Sequence, residues 1–468
     1  MTQLADTHRI HLSNFARFEQ TERRAAGNGH APRPAWLEAL RRAGIERFER
    51  VGFPGGRDEL WRHTNFSPIA KTPFRLAGRD AVESAAAADV AGRFTFGGEA
   101  AAELVFVNGH FAPRLSRIGN DLPRGVYAGS LAEAFSAHGA QVERHLGRHA
   151  DLDGNPFVAL NSGFVADGAY VYFPRGATVE GPIHLLFVSI PDGTGEPMVS
   201  HPRVLIVAED TAEASVVESY AGTEGGAYWT NAVTEMVVGN GAAIDHNKLQ
   251  QESVEAFHVG AMQVRLGRDG RFVSHNTTTG GRLTRNDLNV LLAGENADAT
   301  LNGLVVIDGQ QHVDNHTLLD HAAPHCPSHE LYKHVLGGRA TGVFKGKILV
   351  RQAAQKTDSK QTSKTLLLSD DAYMNSQPAL EIYADDVKCT HGSTTGPVDE
   401  SMVFYIRQRG VSLDAARHLL TYAFAADVTR RIKVGPVRRR IEDYMAAQHG
   451  LPQDLRITDL GAHDEAAR

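Results

Sequence analysis

The chain has 468 residues, enough for two or three structural regions and a sizeable hydrophobic core. Its 48 basic and 55 acidic residues give a net charge of −7, which argues against broad electrostatic binding to nucleic acid or to an anionic membrane. The two cysteines, Cys326 and Cys389, exclude a disulfide framework, and no signal-peptide pattern or apolar stretch of about 18 residues occurs, so we expect a soluble cytoplasmic protein.

Residues 1–165 are predicted to form a mostly helical region. The stretch "PAWLEALRRAGIERFER" places Trp36, Leu40, Ala43 and Phe48 near one face at helical spacing. Further on, "AAELVFVNGHF" is typical of a strand that enters a turn at its Asn-Gly pair. We therefore expect a helical cap with local strands.

Residues 166–398 carry a repeat of short apolar runs rich in Val, Ile and Leu, each followed by turn residues and then Ala or Gly. The aligned runs end at Ala212, Ala242, Gly270, Ala297, Ala340 and Ala372, at separations of 30, 28, 27, 43 and 32 residues. No helix of ordinary length fits between them, so the period indicates a stacked β-solenoid, although the alternation also allows a β-sandwich. We interpret the interval of 43 residues as an inserted loop or an extra coil.

Residues 399–468 are predicted to be helical. Ser412 is placed to cap "SLDAARHLLTYAFAADVTRRI", and Gly435-Pro436 separates this helix from "VRRRIEDYMAA". The apolar stripe of such a tail is either core or a docking surface for a partner protein.

Histidines are concentrated in "QHVDNHTLLDHAAPHCPSHELYKH", which spans residues 311–334 and includes Cys326. Imidazole and thiolate suit zinc or iron, but the spacings match no single metal motif. Pro327 disfavours a helix that would bring His325 and His329 to one face. We interpret the segment as a solvated loop of hydrogen-bonding side chains, with a metal site as the alternative.

The stretch "YADDVKCTHGST" places Cys389 and His391 two residues apart, on one face of an extended strand. Three interpretations stay open: an ordinary strand end, half of a metal site completed by another subunit, or a nucleophile with its base. Asp385 and Asp386 are adjacent and would point to opposite sides, which argues against a glycosidase pair. The glycines around "GGRATGVFKGK" do not match phosphate-loop spacing.

One long segment carries a family resemblance, "KTDSKQTSKTLLLSDDAYMNSQPALEIYADDVKCTHGSTTGPVDESMVFYIRQRGVSLDAARHLLTYAF", from Lys356 to Phe424. It resembles the SufB/SufD family of iron–sulfur assembly proteins, with weaker likeness upstream to "DELWRHTNF". The motif "LEIYADDVKCTHG" is similar to the corresponding motif of the SufD branch. Ile406 stands where the SufB branch has a cysteine after Phe-Tyr.

The resemblance implies a mainly β protein, a right-handed parallel β-helix between helical ends, that is a scaffold subunit and not an enzyme. It implies β-helix pairing with SufB and docking of the SufC ATPase on the C-terminal helical region. Whether the chain forms a homodimer when it is alone stays open. A transient iron–sulfur cluster would be shared with SufB, with no tightly bound cofactor in the isolated chain. The implied site residues are His391 and Cys389 for the cluster and Phe404, Tyr405, Arg409, Leu420 and Phe424 for SufC. The competing hypotheses are a β-helix carbohydrate-active enzyme and a stand-alone metal-binding β-helix protein.

Overall fold

The repeating apolar runs form the strands of a parallel β-solenoid. A computed structural model describes residues 2–27, 34–56, 58–191 and 193–448. Within these ranges, the strands join into a twelve-stranded sheet, sheet A, and an eleven-stranded sheet, sheet B, and from residue 203 to residue 367 successive strands alternate between the two. The strands from residue 168 onward pair with one another in parallel, with residues about one repeat apart, whereas three pairs that involve earlier strands are antiparallel. The solenoid prediction is therefore confirmed and the sandwich alternative is wrong.

The N-terminal region combines helices with short strands. Its helices are α1 (Thr2–Gly27), α2 (Ala35–Val51), α3 (Ser67–Lys71), α4 (Ala85–Phe94), α5 (Leu131–Ala137), α6 (Gly139–His145) and α7 (Pro156–Gly163). Its strands are β1 (Arg75–Leu76), β2 (Ala102–Val107), β3 (His110–Phe111), β4 (Arg117–Ile118) and β5 (Tyr127–Ser130). Short 3-10 turns lie at Glu59–Trp61, Gly97–Glu99 and Pro113–Leu115.

The solenoid and the C-terminal helices follow. The strands are β6 (Gly168–Phe173), β7 (Thr178–Ser189), β8 (Met198–Ser200), β9 (Arg203–Ala208), β10 (Glu213–Gly222), β11 (Tyr228–Val238), β12 (Ala243–Gln251), β13 (Phe257–Leu266), β14 (Arg271–Thr278), β15 (Leu283–Leu292), β16 (Asp298–Ile307), β17 (His312–His321), β18 (Pro327–Leu336), β19 (Thr341–Val350), β20 (Asp358–Leu367), β21 (Tyr373–Ser376), β22 (Ala379–Ile382) and β23 (Lys388–Pro397). The helices are α8 (Glu400–Arg407), α9 (Leu413–Thr429) and α10 (Gly435–Gln448). Residues 449–468 of the predicted C-terminal helical region lie outside the described residues.

A recurring turn leads into the strands of sheet B. A residue in the left-handed region is followed by a small residue that is buried between the sheets. The left-handed residues include Thr211, Asp269, Asn296, His325 and Lys356, and the small residues after them are Ala212, Gly270, Ala297, Cys326 and Thr357. Cys326 therefore fills a position that alanine or glycine fills in other turns.

This turn explains the interval of 43 residues. Ala297 leads into β16 of sheet B, whereas Ala340 leads into β19 of sheet A, so the interval contains three strands where one full turn contains two. The expectation of an inserted loop or an extra coil is wrong. The alignment on Ala and Gly missed the turn at Cys326, because the small residue in that turn is neither Ala nor Gly.

The His-dense segment is not a solvated loop, so that interpretation is wrong. It forms β17 and β18, joined by the turn at His325. His321 and His334 are fully buried, and histidine on both faces obscured the two-residue alternation in the sequence.

The helical regions cover the outer faces of the two sheets. An aromatic cluster around Trp61, Phe157 and Trp229 packs the N-terminal region against sheet A. Apolar side chains of α9 and α10, such as Val428 and Ile441, pack against the outer face of sheet B. Both helices were expected, and the Ser412 side chain accepts a hydrogen bond from Ala415 N as a cap.

Two predictions in the N-terminal region have different outcomes. The strand entering a turn at Asn108-Gly109 is confirmed, because β2 is fully buried and both turn residues have positive φ. Helix α2 is confirmed, but its buried face is centred on Leu37, Gly44 and Phe48 rather than on Ala43. Gly44 decides this orientation, because α7 approaches too closely for any side chain there.

Candidate functional site

Cys389 and His391 lie on β23, which ends the strand order of sheet B. Sheet A ends at the same end of the solenoid with β21 and β22, and we call β21, β22 and β23 the terminal turn. Among the described strands β23 pairs only with β20, so its second edge offers backbone groups to a further strand.

The register with β20 shows where the two side chains point. Cys389 is opposite Ser359 and His391 is opposite Gln361, and both of these partners are buried between the sheets. Since in-register residues of parallel strands share a face, Cys389 and His391 point into the same inter-sheet space. No further turn covers them among the described residues, which leaves His391 exposed and Cys389 partly exposed against the core.

The thiol of Cys389 is not set up as a nucleophile. Partial burial raises its pKa, with a smaller opposing effect of a hydrogen bond to the backbone of Ser359. A raised pKa keeps the thiol protonated at neutral pH, whereas a catalytic cysteine needs a stabilised thiolate. Independently of the pKa, Cys389 and His391 lie side by side on one strand, which suits two parallel ligands better than a nucleophile and its base.

Two polar residues that the sequence analysis missed lie below His391. Gln361 is 30 residues earlier on β20, and Glu330 is opposite Gln361 on β18. Gln361 Nε2 donates to Glu330 Oε2 over 2.6 Å, and burial raises the pKa of Glu330 to about 7. The signal that could have found them is the repeat itself, read backwards from His391 in steps of one turn.

Other contacts hold the terminal turn together. Ser393 Oγ donates to Ser376 Oγ across the two sheets, at 2.9 Å. Asp386 forms an ion pair with Lys356 of the preceding turn, so this carboxylate is engaged in holding the turn.

Across the described ranges, no three or more His, Cys, Asp or Glu side chains are grouped so that they could hold a metal ion. None of the described helices combines the length and the apolar character needed to cross a membrane.

Comparison with known proteins identifies the family. The family model described as "SUF system FeS cluster assembly, SufBD core domain" matches residues 190–424, and the model of the "SufBD protein N-terminal region" matches residues 21–185. The chain belongs to the SufB/SufD family. Within this family it is SufD-like, as the sequence motif around Cys389 predicted.

Several relatives of this SufB/SufD family member are similar over most of their length. An iron–sulfur cluster assembly SufBD family protein of Synechocystis is 32% identical over 404 residues, covering 84% of this chain and 87% of that protein. The iron–sulfur cluster assembly protein SufD of Escherichia coli is 28% identical over 407 residues, covering 85% and 89%. The SufD protein of Bacillus subtilis is 25% identical over 419 residues, covering 87% and 93%.

The "DELWRHTNF" segment, residues 58–66 of the part matched by the N-terminal model, crosses the outer face of sheet A. The Trp61 ring lies 4.2 Å from the Arg285 guanidinium, and Thr64 Oγ1 donates to Asp314 Oδ2 over 2.5 Å. The guanidinium of Arg285 holds the pKa of the Asp314 carboxyl well below its usual range against the effect of burial. His63 reaches the terminal turn, within hydrogen-bonding distance of the Asn375 and Gln377 amides.

The five C-terminal residues that the SufB/SufD resemblance assigned to partner docking lie in two environments. Phe404 and Tyr405 on α8 are 64% and 55% exposed, and the Arg409 guanidinium lies over the Tyr405 ring. Leu420 packs between α8 and α9, and Phe424 packs against sheet B beside Lys333. The exposed aromatic surface is therefore formed by Phe404 and Tyr405.

Proposed function

We propose that this chain is a non-catalytic, cytoplasmic scaffold subunit that contributes His391 and Cys389 to a nascent iron–sulfur cluster completed by SufB. The observation that carries the proposal is the pair of donors facing one space at the terminal turn, beside an open strand edge. Two donors are fewer than a cluster requires, so further ligands come from a second protein.

The two donors differ in charge, which matters for a transient cargo. His391 would bind iron through a neutral imidazole nitrogen, whereas Cys389 must lose its proton to bind as thiolate. Because burial raises the pKa of Cys389, thiolate binding releases a proton that the free site retains at neutral pH. A cluster with one neutral ligand has a different net charge and potential from an all-thiolate cluster, which favours its release to an acceptor.

The strand edge supplies the pairing surface for SufB. Strand β23 is exposed along most of its length, and its free edge continues sheet B. A second β-helix that pairs there would bring its own ligands beside His391. The same edge supports a homodimer when SufB is absent.

The exposed aromatic surface on α8 supplies the docking site for the SufC ATPase, in which the ATPase activity resides. Phe404 and Tyr405 present large apolar area outside the core, the kind of anchor that dominates protein interfaces. Leu420 and Phe424 would hold α8 and α9 in place rather than contact SufC directly.

The deciding experiment is anaerobic cluster reconstitution in a complex co-expressed with SufB and SufC of the same source. His391→Ala should lower the iron and sulfide content per complex and the visible absorbance while subunit stoichiometry by native mass is unchanged. Thr390→Ala, on the same strand but facing outward, is the matched control and should keep the wild-type yield. An unchanged yield in His391→Ala would remove His391 from its proposed role.

A further inference from the structure

Gln361 occupies the position directly below His391 in the inter-sheet space. The two residues are opposite each other in the register of β20 and β23, and neighbouring strands lie about 4.8 Å apart. Gln361 is buried, whereas His391 is exposed at the terminal turn. An inward imidazole at residue 391 therefore has the Gln361 amide as its nearest support in the turn below.

The orientation of this amide is set by its other neighbours. Its Nε2 donates to Glu330 Oε2 over 2.6 Å. Across the space, Gly346 on β19 lies against the same nitrogen, and any side chain at residue 346 would displace the amide. Because Nε2 already donates to Glu330, the amide oxygen is the atom of Gln361 that can accept a hydrogen bond from His391.

The amide oxygen of Gln361 accepts no hydrogen bond from the described residues. Gln361 Oε1 is buried and has no hydrogen-bond partner in the described part of the chain. Buried acceptors are nearly always satisfied, so an unsatisfied one next to an exposed donor residue requires explanation. His391 is opposite Gln361 in the register of the next strand, and its ring N–H is a donor of the right type.

We propose that Gln361 is a positioning residue for His391: its Oε1 accepts one ring N–H and so fixes the tautomer that presents the other nitrogen to iron. Metal-binding histidines commonly donate their second ring N–H to a carbonyl or carboxylate oxygen, which orients the ring. Glu330 and Gly346 act one step further away, by holding the amide with its oxygen toward His391. The assignment of iron as the ligand rests on the proposed function, but the tautomer is a property of the chain alone.

The test uses the full chain without any cluster, labelled with ring-¹⁵N histidine and measured at pH 8. At that pH Glu330 is mostly ionised, since its pKa is about 7, and its oxygens only accept hydrogen bonds. The His391 signals are assigned by their disappearance in His391→Asn. Wild type should show one dominant tautomer of His391, and Gln361→Ala should lose it and show a solvent-like mixture.

Two further variants guard against a trivial result. Gly346→Ala keeps Gln361 but displaces its amide, and should give the same loss of the single tautomer. Ser363→Ala, two residues along β20 on the same inward face, should leave the His391 signals unchanged. Unchanged signals of the buried His321 and His334 show that each variant has kept the fold.

The outcomes separate this inference from the proposed function. If Gln361→Ala leaves the His391 tautomer as in wild type, the positioning role is overturned, even where His391→Ala abolishes cluster formation. If the tautomer depends on Gln361 but His391→Ala reconstitutes normally, the contact stands and the cluster assignment fails.

Discussion

The Lys333 ammonium lies 2.8 Å from the Asp427 carboxylate, and this contact attaches α9 to the outer face of sheet B. The same ammonium donates to the Phe424 carbonyl oxygen over 2.9 Å and lies 4.4 Å from the centre of the Phe424 ring. Lys333 holds the pKa of Asp427 below its usual range through their hydrogen bond. One side chain of the solenoid thus fixes the helix that supports the exposed aromatic surface of α8.

Replacing Lys333 should loosen α9 more than it destabilises the whole protein. Lys333→Met keeps the apolar stem and removes the charge, so we expect a loss of roughly 1 kcal/mol, kept small because Asp427 is half exposed to solvent. Hydrogen exchange should accelerate in α9 but not in the solenoid strands. Lys360→Met, an exposed lysine on β20, is the control, and equal exchange in both variants would contradict the expectation.

The Glu330 carboxyl should make the solenoid less stable as the pH rises. Burial raises its pKa from 4.5 to about 7 in the folded chain, so the unfolded chain releases the proton first. Stability is therefore retained below pH 4.5 and lost as the pH rises toward 7, by at most about 3 kcal/mol.

Glu330→Gln isolates this effect, because the amide is nearly isosteric and does not titrate. In urea unfolding, the variant should be the more stable protein at pH 8, and its advantage should disappear near pH 4.5. A constant difference between the two proteins across this range would show that Glu330 is not protonated in the folded chain.

The buried histidines should produce the opposite dependence in acid. Burial lowers the pKa of both His321 and His334 from 6.5 to about 4, so the unfolded chain takes up protons first as the pH falls. Stability is present above pH 6.5 and is lost between pH 6.5 and 4. His334→Gln should reduce the slope of unfolding free energy against pH in this window, whatever its effect at pH 7.

The two cysteines should differ sharply in reactivity. Cys326 is fully buried in its turn, whereas Cys389 is partly exposed at the terminal turn. An alkylating reagent at pH 8 should therefore modify Cys389 in the folded chain and reach Cys326 only on unfolding. Mass mapping of the modified peptides checks this, and Cys389→Ser should abolish the labelling of the native protein.

Cys326→Ala should be nearly neutral, within about 1 kcal/mol, because Ala212 and Ala297 fill the same position in other turns. Thermal unfolding of this variant would test whether Cys326 is only a packing residue. A loss of several kcal/mol would mean that the sulfur fills space that alanine leaves empty.

Much of the fold could be predicted because it depends on short-range patterns. The alternation along the strands and the small residue after the turns recur in most repeats, so they reveal a solenoid without knowledge of any long-range contact. The sequence motif around Cys389 and His391 likewise identifies the family, since both residues lie within one strand.

The contacts between residues of different turns become visible only in the folded chain. Residue 326 is Cys where most other turns have Ala or Gly, so the repeat aligned on Ala and Gly passed from the strands of sheet B to those of sheet A. The local pattern does not show which sheet a strand joins. Thr64 meets Asp314 across 250 residues, and Gln361 and Glu330 come to lie beneath His391. The period and the two donors can be predicted from local sequence, whereas the buried amide and carboxyl below them are placed there by the stacking of one turn on the next.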